Sequence, residues 1–286
     1  MAVLRNPPAA GRRAFFRGRL NLLLGSILIG LIGLAALVSF FWVPFDPNAM
    51  DFAVRPAAPS AEHPLGTDQF GRDLLSRLMV GARSTLYVGL IAVGIALAIG
   101  GAIGAISGYA GSFVDELLMR VVDVLYAFPP ILMAILLAAI FDPGTLTAMV
   151  AIGIATVPVF ARLMRSSVIA IKERDFVEAG RALGASNPRI LRQHILPSAV
   201  SPLLVQTSLS LAIAVLAEAA LSFRGLGTPA RVPSWGNMLR EAQSFVALSP
   251  YPALVPGFAI MLTVLGWSLL GDGLRDLLDP HTRRGR

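Results

Sequence analysis

Six long apolar stretches constrain this sequence more than any other feature. About twenty apolar residues in a helix cross the hydrocarbon core of a bilayer, and a helix satisfies its own backbone hydrogen bonds there. Hydrophobic residues make up 55% of the chain and charged residues only 14%, which favours membrane spans over a soluble core. We therefore predict an all-α polytopic membrane protein with six transmembrane helices. The predicted spans are residues 22–43, 85–109, 117–141, 145–164, 202–221 and 253–270.

The distribution of basic residues predicts the orientation of these spans. If the N terminus lies inside, 17 of the 24 arginine and lysine residues fall on the inner side and 7 on the outer side. The positive-inside rule then places both termini in the cytoplasm, and six spans require the termini to share a side. Attraction of the same residues to anionic lipid accounts for the net charge of +7. Membrane lipid, and not nucleic acid, is therefore the partner expected from the charge.

This orientation divides the chain into inner and outer segments. Span 22–43 is longer than the apolar region of a signal peptide and is expected to remain as an uncleaved anchor. Residues 85–272 are expected to form the helical core. The other predicted segments are a cytoplasmic N-terminal tail 1–21, an external segment 44–84, a cytoplasmic loop 170–199, an external loop 222–252 and a cytoplasmic C-terminal tail 273–286.

A charged segment, EAGRALGASNPRILRQHILP at residues 178–197, interrupts the apolar chain between the fourth and fifth spans. Gly184 can adopt the left-handed conformation that ends a helix, so a bend is predicted there. Asn187 before Pro188 is typical of a helix start, and Pro197 is expected to end this second helix. The apolar residues of the first helix are Phe176, Ala179, Gly180 and Leu183. Those of the second helix are Ile190, Leu191, His194 and Ile195.

The pattern of helix, bend and helix leaves two interpretations open. One is an amphipathic pair that rests on the lipid surface with its arginines at the headgroups. The other is a docking site for a second protein. The chain has no P-loop, because its one lysine, Lys172, is followed by Glu173 rather than serine or threonine. If the chain moves a solute uphill, the energy must arrive through contact with another protein.

The same segment resembles the EAA loop of permease subunits in binding-protein-dependent ABC importers. That loop has the pattern EAA, three residues, G, nine residues, I-x-L-P. This sequence departs from it twice, with Gly180 in place of the third letter and His194 in place of the isoleucine. Gly180 lowers helix propensity by about 1 kcal/mol relative to alanine. The matching residues are Glu178-Ala179-Gly180, Gly184 and His194-Ile195-Leu196-Pro197.

In that family the loop docks in a groove of the ATPase subunit and carries its closure to the spans. The resemblance therefore implies an ATPase-coupling role for a defined set of residues. They are Phe176, Glu178, Ala179, Gly180, Leu183, Gly184, Ile190, His194, Leu196 and Pro197.

Further motifs extend the resemblance through nearly the whole chain. They are similar to the dipeptide, oligopeptide and nickel branch of the family, and in particular to its second permease subunit. The implied fold is a five-helix type I ABC importer permease core plus one N-terminal helix, which agrees with six spans. The motifs are HPLGTDQFGRDLLSRLMVGARSTL from His63, VVDVLYAFPP from Val121, LAEAALSFRGLG from Leu216, PSWGNML from Pro233 and LGDGLRDLLDP from Leu270.

The resemblance also implies a set of partners and a location. The partners are a second homologous permease subunit, two ABC ATPase subunits and an extracytoplasmic substrate-binding protein. The partner ATPases would use ATP and Mg²⁺, while this chain would bind no cofactor and would not be an enzyme. The location is the bacterial inner (plasma) membrane, and the solutes are di- or oligopeptides or nickel-type solutes.

Charged residues inside the spans are the first candidates for a translocation pathway or gate, because a buried charge is costly there unless it is paired or hydrated. Asp123 follows Arg120 by three residues, so a local ion pair is the alternative to a pathway role. Glu218 lies near the outer end of the fifth span, where Arg224 or a partner subunit is expected to neutralise it.

Prolines and glycines are expected to shape the second and third spans. Pro129 and Pro130 free backbone carbonyls in mid-span, which predicts a bent helix that lines an aqueous cavity or one whose carbonyls are satisfied by packing. Glycines in the second span predict close approach of a neighbouring helix. They are Gly94, Gly100, Gly101, Gly104 and Gly108.

Two outer segments have amphipathic patterns. A short helix capped by Thr67 or Asp68 is predicted in the external segment, and an interfacial helix is predicted in the external loop. Contact with the substrate-binding protein and anchoring in lipid both remain open for these elements. The apolar residues are Leu74, Leu75, Leu78 and Met79 in the first and Trp235, Met238, Leu239 and Phe245 in the second.

Two other classes of function fit the sequence less well than a permease. An ion- or proton-coupled secondary transporter usually has internal repeats and ionisable residues near the midplane, whereas no clear repeat is present and Asp123 and Glu218 lie toward opposite ends of their spans. A membrane-embedded enzyme is disfavoured because the chain has no H-E-x-x-H or G-x-S-x-G motif. We predict no catalytic residue and no metal site, since the three histidines, His63, His194 and His281, lie far apart outside the spans.

Overall fold

The computed structural model describes residues 9–53 and 58–278. The predicted tails 1–21 and 273–286 therefore lie partly outside the described residues. Regular structure in the described ranges is helical, and an isolated β-bridge joins Thr67 to Asp73. The helices are α1 (Ala9–Val38), α2 (Leu74–Ala110), α3 (Ser112–Ala127), α4 (Pro130–Ile140), α5 (Thr145–Lys172), α6 (Asp175–Ala182), α7 (Asn187–Ile190), α8 (Leu196–Phe223), α9 (Trp235–Gln243) and α10 (Tyr251–Leu278).

Five helical segments of the described chain are long and apolar enough to cross a membrane, and α3 with α4 supplies a sixth if the broken pair counts as one span. The all-α fold class is confirmed, and six spans match the upper count. The fourth crossing, α5, runs toward residues 173–190, which are here called the insert. The fifth crossing, α8, runs away from them. The end of the bundle that carries the insert is the insert end, and the opposite end is the far end.

The first span ends earlier than predicted. Helix α1 stops at Val38, five residues before the predicted boundary. Phe41 and Trp42 follow with 92% and 60% of their surface exposed. Aromatic side chains of this kind favour the membrane–water interface, so they mark the interface at the far end.

Helix α2 begins much earlier than the predicted second span. Its 37 residues start at Leu74, so the separate short helix predicted within 44–84 is wrong. Asp73, and not Thr67 or Asp68, caps it, because the Ser76 amide donates to the Asp73 carboxylate at 2.7 Å. Leu74 is buried in one cluster with Trp235 of α9. The apolar face of this segment therefore packs in part against α9.

The predicted third span is divided into two helices. Helices α3 and α4 meet at an angle of 89°, which is a break rather than the expected bend. Phe128 has extended backbone geometry between them. The residue before a proline is driven toward extended geometry, and two successive prolines supply no backbone N–H for the helix. Pro129 and Pro130 therefore end α3 and start α4.

The helix that leaves the insert continues without interruption into the fifth span. Segment Asn187–Phe223 is one helical rod, so the prediction that Pro197 ends a separate helix is wrong. A π-helical turn at Leu191–Ile195 joins α7 to α8 and leaves Pro197 in the first turn of α8, where a missing N–H is tolerated. Ser186 rather than Asn187 is the residue before the first helical position.

Glycines bring α2 and α5 into backbone contact. A methyl group at Gly100 or Gly108 would lie 2.5 or 2.8 Å from the carbonyl oxygen of Val157 or Arg165, and one at Gly104 would overlap the carbonyl of Ala161. These three glycines recur every fourth residue, as in small-xxx-small packing. Methyl groups at the other two predicted contact glycines, Gly94 and Gly101, would meet nothing within 4 Å. The close-packing prediction therefore holds for three of the five.

Replacing Gly104 with alanine is expected to destabilise the bundle by about 1–3 kcal/mol, the usual cost of overpacking, even though alanine is the better helix former. Gly101→Ala is the matched control, because it adds the same methyl group to the same helix in open space. Thermal unfolding in detergent should show a lower midpoint for Gly104→Ala and an unchanged or higher midpoint for Gly101→Ala. Equal midpoints for the two variants would contradict this packing.

Helix α9 belongs to the core of the far end. Trp235 and Met238 are 1% and 3% exposed, and the Trp235 indole donates to the Leu78 carbonyl at 3.0 Å. The interfacial helix predicted in 222–252 therefore exists, but its main aromatic residue contacts protein. Trp235 therefore does not anchor the helix at the lipid headgroups, because its N–H is bonded to protein.

Candidate coupling site and buried polar clusters

The insert is held to the bundle by a small apolar core. Val177 of α6, Ile190 of α7 and Ile195 of the π-helical turn are each fully buried. They pack with Met164 and Val168 near the end of α5. Val177 was not among the predicted coupling residues. Its burial depends on α5 and cannot be seen in the sequence of α6. Ile190 was among them, but its burial makes it a support of the insert rather than part of its surface.

The predicted apolar stripe of the first insert helix faces outward. Phe176 is 43% exposed and Leu183 is 88% exposed. Glu178 and Ala179 are also exposed, and Gly180 is half-buried. Because Val177 lies on the face of α6 that packs against the bundle, Phe176, Ala179 and Leu183 form an apolar surface, with Glu178 beside it, that nothing in the described chain covers. This surface is the candidate docking face.

Gly184 forms the bend with the geometry that its sequence position predicts. Its φ of +80° lies in the left-handed region, which costs a residue with a Cβ about 1–2 kcal/mol. The Ala185 amide donates to the Gly180 carbonyl at 3.1 Å, and the Gly184 amide donates to the Arg181 carbonyl at 2.9 Å. This pair of bonds is a Schellman motif, which satisfies carbonyls at the end of α6.

Polar contacts join the insert to the ends of α2 and α5. The Lys172 ammonium donates to the Tyr109 carbonyl at 2.8 Å, and the Tyr109 hydroxyl lies 2.8 Å from the Asn187 side-chain oxygen. Tyr109 is therefore bonded both to the end of α5 and to the insert. Movement of the insert relative to α2 must break the contact between Tyr109 and Asn187.

The two departures from the EAA pattern face each other. A methyl group at Gly180 would lie 3.7 Å from His194 Nε2, which is ordinary contact, and the rings of Phe176 and His194 are 6.4 Å apart. Leu196 is half-buried and Pro197 is exposed where α8 begins. The glycine and the histidine thus form one local contact between the first insert helix and the π-helical turn.

Asp123 has a different partner from the one expected. Arg162 of α5 donates to its carboxylate at 2.7 Å, while Arg120 contacts Glu116 instead, so the predicted Arg120–Asp123 pair is wrong. The Arg162 guanidinium also lies 4.1 Å from the centre of the Tyr126 ring. Both charged side chains stay about half exposed. Sequence reasoning missed Arg162 because the pairing depends on how α3 crosses α5.

Glu218 lies in a closed polar cluster at the far end. Its carboxylate is 0% exposed and accepts from the hydroxyls of Ser222 at 2.7 Å, Thr228 at 3.2 Å and Thr85 at 3.4 Å. These hydroxyls, and not Arg224, are its observed partners, which corrects the expectation. The cluster joins α8 to α2 and to the loop after α8.

Comparison with known proteins identifies the class of membrane protein. Residues 100–284 match the family described as "Binding-protein-dependent transport system inner membrane component". This chain belongs to that family. It is therefore a multi-pass inner-membrane permease subunit of a binding-protein-dependent ABC transporter.

Relatives and solved structures agree with this assignment. The permease is 44% identical to the dipeptide transport system permease protein DppC of Alkalihalophilus pseudofirmus over 89% of this chain and 86% of that protein. It is 39% identical to the glutathione transport system permease protein GsiD of Pectobacterium atrosepticum over 98% and 93% of the two chains. A chain of the inward-facing MetNI methionine ABC transporter superposes with a TM-score of 0.53 at 19% identity, covering 65% of this chain and 89% of that one, and shows the shared fold.

The permease also contains a buried ionic cluster that sequence reasoning missed. The far-end clamp consists of Asp68, Arg72, Arg77 and Glu241. Arg77 Nη2 donates to Glu241 Oε2 at 2.8 Å, and Arg72 donates to the same oxygen and to Asp68 Oδ2, the latter at 2.7 Å. Arg72 and Arg77 are 5% and 1% exposed. The clamp joins the segment before α2 to α9, and only the tertiary structure brings Glu241 to these arginines.

Proposed function

We propose that this permease imports short peptides and is driven by ATPase subunits that dock on the insert. The observation that carries the proposal is the insert itself. Its inner face is anchored by Val177 and Ile190, while Phe176 and Leu183 present an apolar surface that no described residue covers. An apolar surface of this kind on a rigid support fits a protein partner.

The proposed mechanism transmits force through the insert. Two ABC ATPase subunits bind ATP and Mg²⁺, which this chain is not expected to bind. One of them holds the insert of this permease and the other holds that of a second, homologous permease. Closure of the ATPase dimer moves the inserts together, and the difference in binding between the two states opens the pathway to the receptor side. The Tyr109 contacts with Lys172 and Asn187 are the bonds that this motion is proposed to change.

The proposed pathway face is the one formed by α3, α4 and the exposed side of α5. Helix α3 has Val122 as its buried residue, and the Asp123–Arg162 pair is exposed on this face. Irregular backbone at Pro129 and Pro130 is tolerated at membrane depth only against protein or water. We therefore assign this face to the second permease and to the solute path, with Asp123, Pro129 and Pro130 as its candidate residues. Glu218 is proposed to position the outer loop beside the gate.

The solute class and the orientation follow from the same proposal. Relatives are named for dipeptide and glutathione transport, which supports peptides of a few residues delivered by an extracytoplasmic substrate-binding protein to the far end. Both termini and the insert are assigned to the cytoplasm, because basic residues concentrate on that side.

The absence of cysteine from the sequence makes thiol labelling a direct test. Leu183→Cys, at an insert position that is 88% exposed, is expected to react with a membrane-impermeant maleimide in inside-out vesicles and to be protected when the ATPase subunits are assembled. Leu248→Cys, 84% exposed at the far end, is the matched control and should react only in intact spheroplasts. Labelling of Leu183→Cys from outside, or labelling that assembled ATPase does not reduce, would overturn the proposal.

A further inference from the structure

An apolar groove of about 470 Å³ lies between α1, α2 and α10. Its walls include Ile32 of α1, Met79 of α2 and Val255 of α10, and Trp235 of α9 also lines it. The Trp235 N–H is already bonded to the Leu78 carbonyl. Tyr251 carries the one remaining polar side-chain group among the lining residues. Water needs two or more polar partners to occupy such a site, so this lining excludes an ordered water cluster.

The groove opens on the surface that these helices present to lipid. Three of its lining side chains, Leu31 of α1 and Leu254 and Phe258 of α10, are 59%, 50% and 56% exposed. Because α1 and α10 are both long and apolar enough to cross the membrane, we place this opening against the hydrocarbon of the bilayer. A ligand that enters it from there is apolar.

The dimensions of the groove match one lipid chain. Lining residues of α10 run from Tyr251 to Leu262, which at 1.5 Å per residue is about 16 Å. One leaflet of the hydrocarbon core is about 15 Å thick. The volume is about three times that of a 150 Å³ cavity that admits benzene, which corresponds to the carbon content of one long acyl chain.

We propose that this groove binds one acyl chain of a phospholipid from the leaflet at the far end. The acyl chain fills the space between α1 and the core helices α2 and α10. It contacts Trp235 on the membrane side of the far-end loops. Tyr251, the first residue of α10, lies at the end where the headgroup begins. The bound chain thus supports α9, which carries Glu241 of the far-end clamp. The proposal depends on the membrane fold and not on the proposed transport function.

Quenching of Trp235 by brominated lipid tests the proposal. The full chain with Trp42→Phe and Trp267→Phe retains Trp235 as its single tryptophan. Trp267 Nε1 has no hydrogen-bond partner within the described residues, so its replacement removes no such bond. When this protein is moved from ordinary to dibromostearoyl phosphatidylcholine, we expect its fluorescence to fall by at least half, although Trp235 is only 1% exposed.

A groove-filling substitution provides the decisive comparison. Ala259→Leu adds bulk to the lining of the groove and should restore the fluorescence, whereas Ala253→Leu on the same helix lies off the lining and should leave the quenching intact. Ala35→Leu is a second filling variant from α1, for use if Ala259→Leu does not fold. Quenching no greater than that of a Trp267-only protein would mean an empty or protein-covered groove. Quenching unchanged in the filled variants would mean that the brominated lipid reaches Trp235 from outside the groove. Either result would overturn the proposal.

Discussion

Replacing Glu241 with glutamine is expected to destabilise the far end of the permease by about 3–5 kcal/mol, the typical cost of removing one partner from a buried ion pair. Arg72 and Arg77 both donate to one oxygen of Glu241. Asp68 would remain as the only carboxylate of the far-end clamp facing two buried guanidinium groups. Loss of the Glu241 charge therefore leaves a buried positive charge without compensation. Chemical or thermal unfolding in detergent should report the change.

Two comparisons make this result specific to burial. Glu116→Gln removes a carboxylate from the exposed Arg120 pair, whose side chains are 68% and 77% exposed, and should change stability by less than about 1 kcal/mol. Arg77→Met in the Glu241→Gln background should recover part of the loss, because apolar groups can replace a buried ion pair at little cost. Equal stability of Glu241→Gln and Glu116→Gln would show that the clamp is not desolvated in the membrane.

Replacing Gly184 with aspartate is expected to uncouple transport from ATP hydrolysis while the chain still inserts. A side chain at Gly184 would meet nothing within 4 Å, so it projects into the space beyond the insert. Aspartate tolerates the left-handed conformation better than most residues, and the bend should persist. We expect peptide uptake by the assembled transporter to fall by at least about tenfold, which corresponds to about 1.4 kcal/mol of lost docking.

Neutral variants separate docking from folding in this experiment. Gly184→Asn has the shape of aspartate without its charge and tolerates the same backbone conformation. The difference in peptide uptake between Gly184→Asn and Gly184→Asp therefore measures the effect of the negative charge alone. Gly180→Ala restores the usual third letter of the EAA pattern, fits beside His194 and should leave uptake unchanged or improved. Normal uptake by Gly184→Asp, with its amount in the membrane unchanged, would count against a coupling role for the insert.

The insert illustrates how far local sequence information extends. The bend at Gly184 follows from chain-local chemistry, because a positive φ favours glycine wherever the rest of the chain lies. The outward face of α6 follows from the spacing of Phe176 and Leu183. Val177 could not be recognised as the anchor, because its burial depends on side chains of α5 that are close only after folding. Pro197 was misread for a related reason, since the π-helical turn before it is not encoded by a simple periodicity.

Charged pairs show the same limit more strongly. Asp123 has a possible partner three residues away in sequence, yet it contacts Arg162, which lies on another helix. Arg72 and Arg77 lie 169 and 164 residues before Glu241 in the sequence, in a different outer segment. Their burial is decided by the packing of α9 against α2, and desolvation then makes their pairing obligatory. No pattern within either segment contains that information.

The amino-acid sequence by itself determined that the chain is an all-helical membrane permease with a charged, bent loop between two spans, since span length, glycine bends and ordered motifs are properties of contiguous residues. Only the tertiary structure decided which charges pair, which glycines pack, which residue anchors the insert and where an apolar groove lies between helices. The physical reason is that hydropathy and backbone conformation act along the chain, whereas burial, ion pairing and cavity shape arise between segments that the sequence separates by tens of residues.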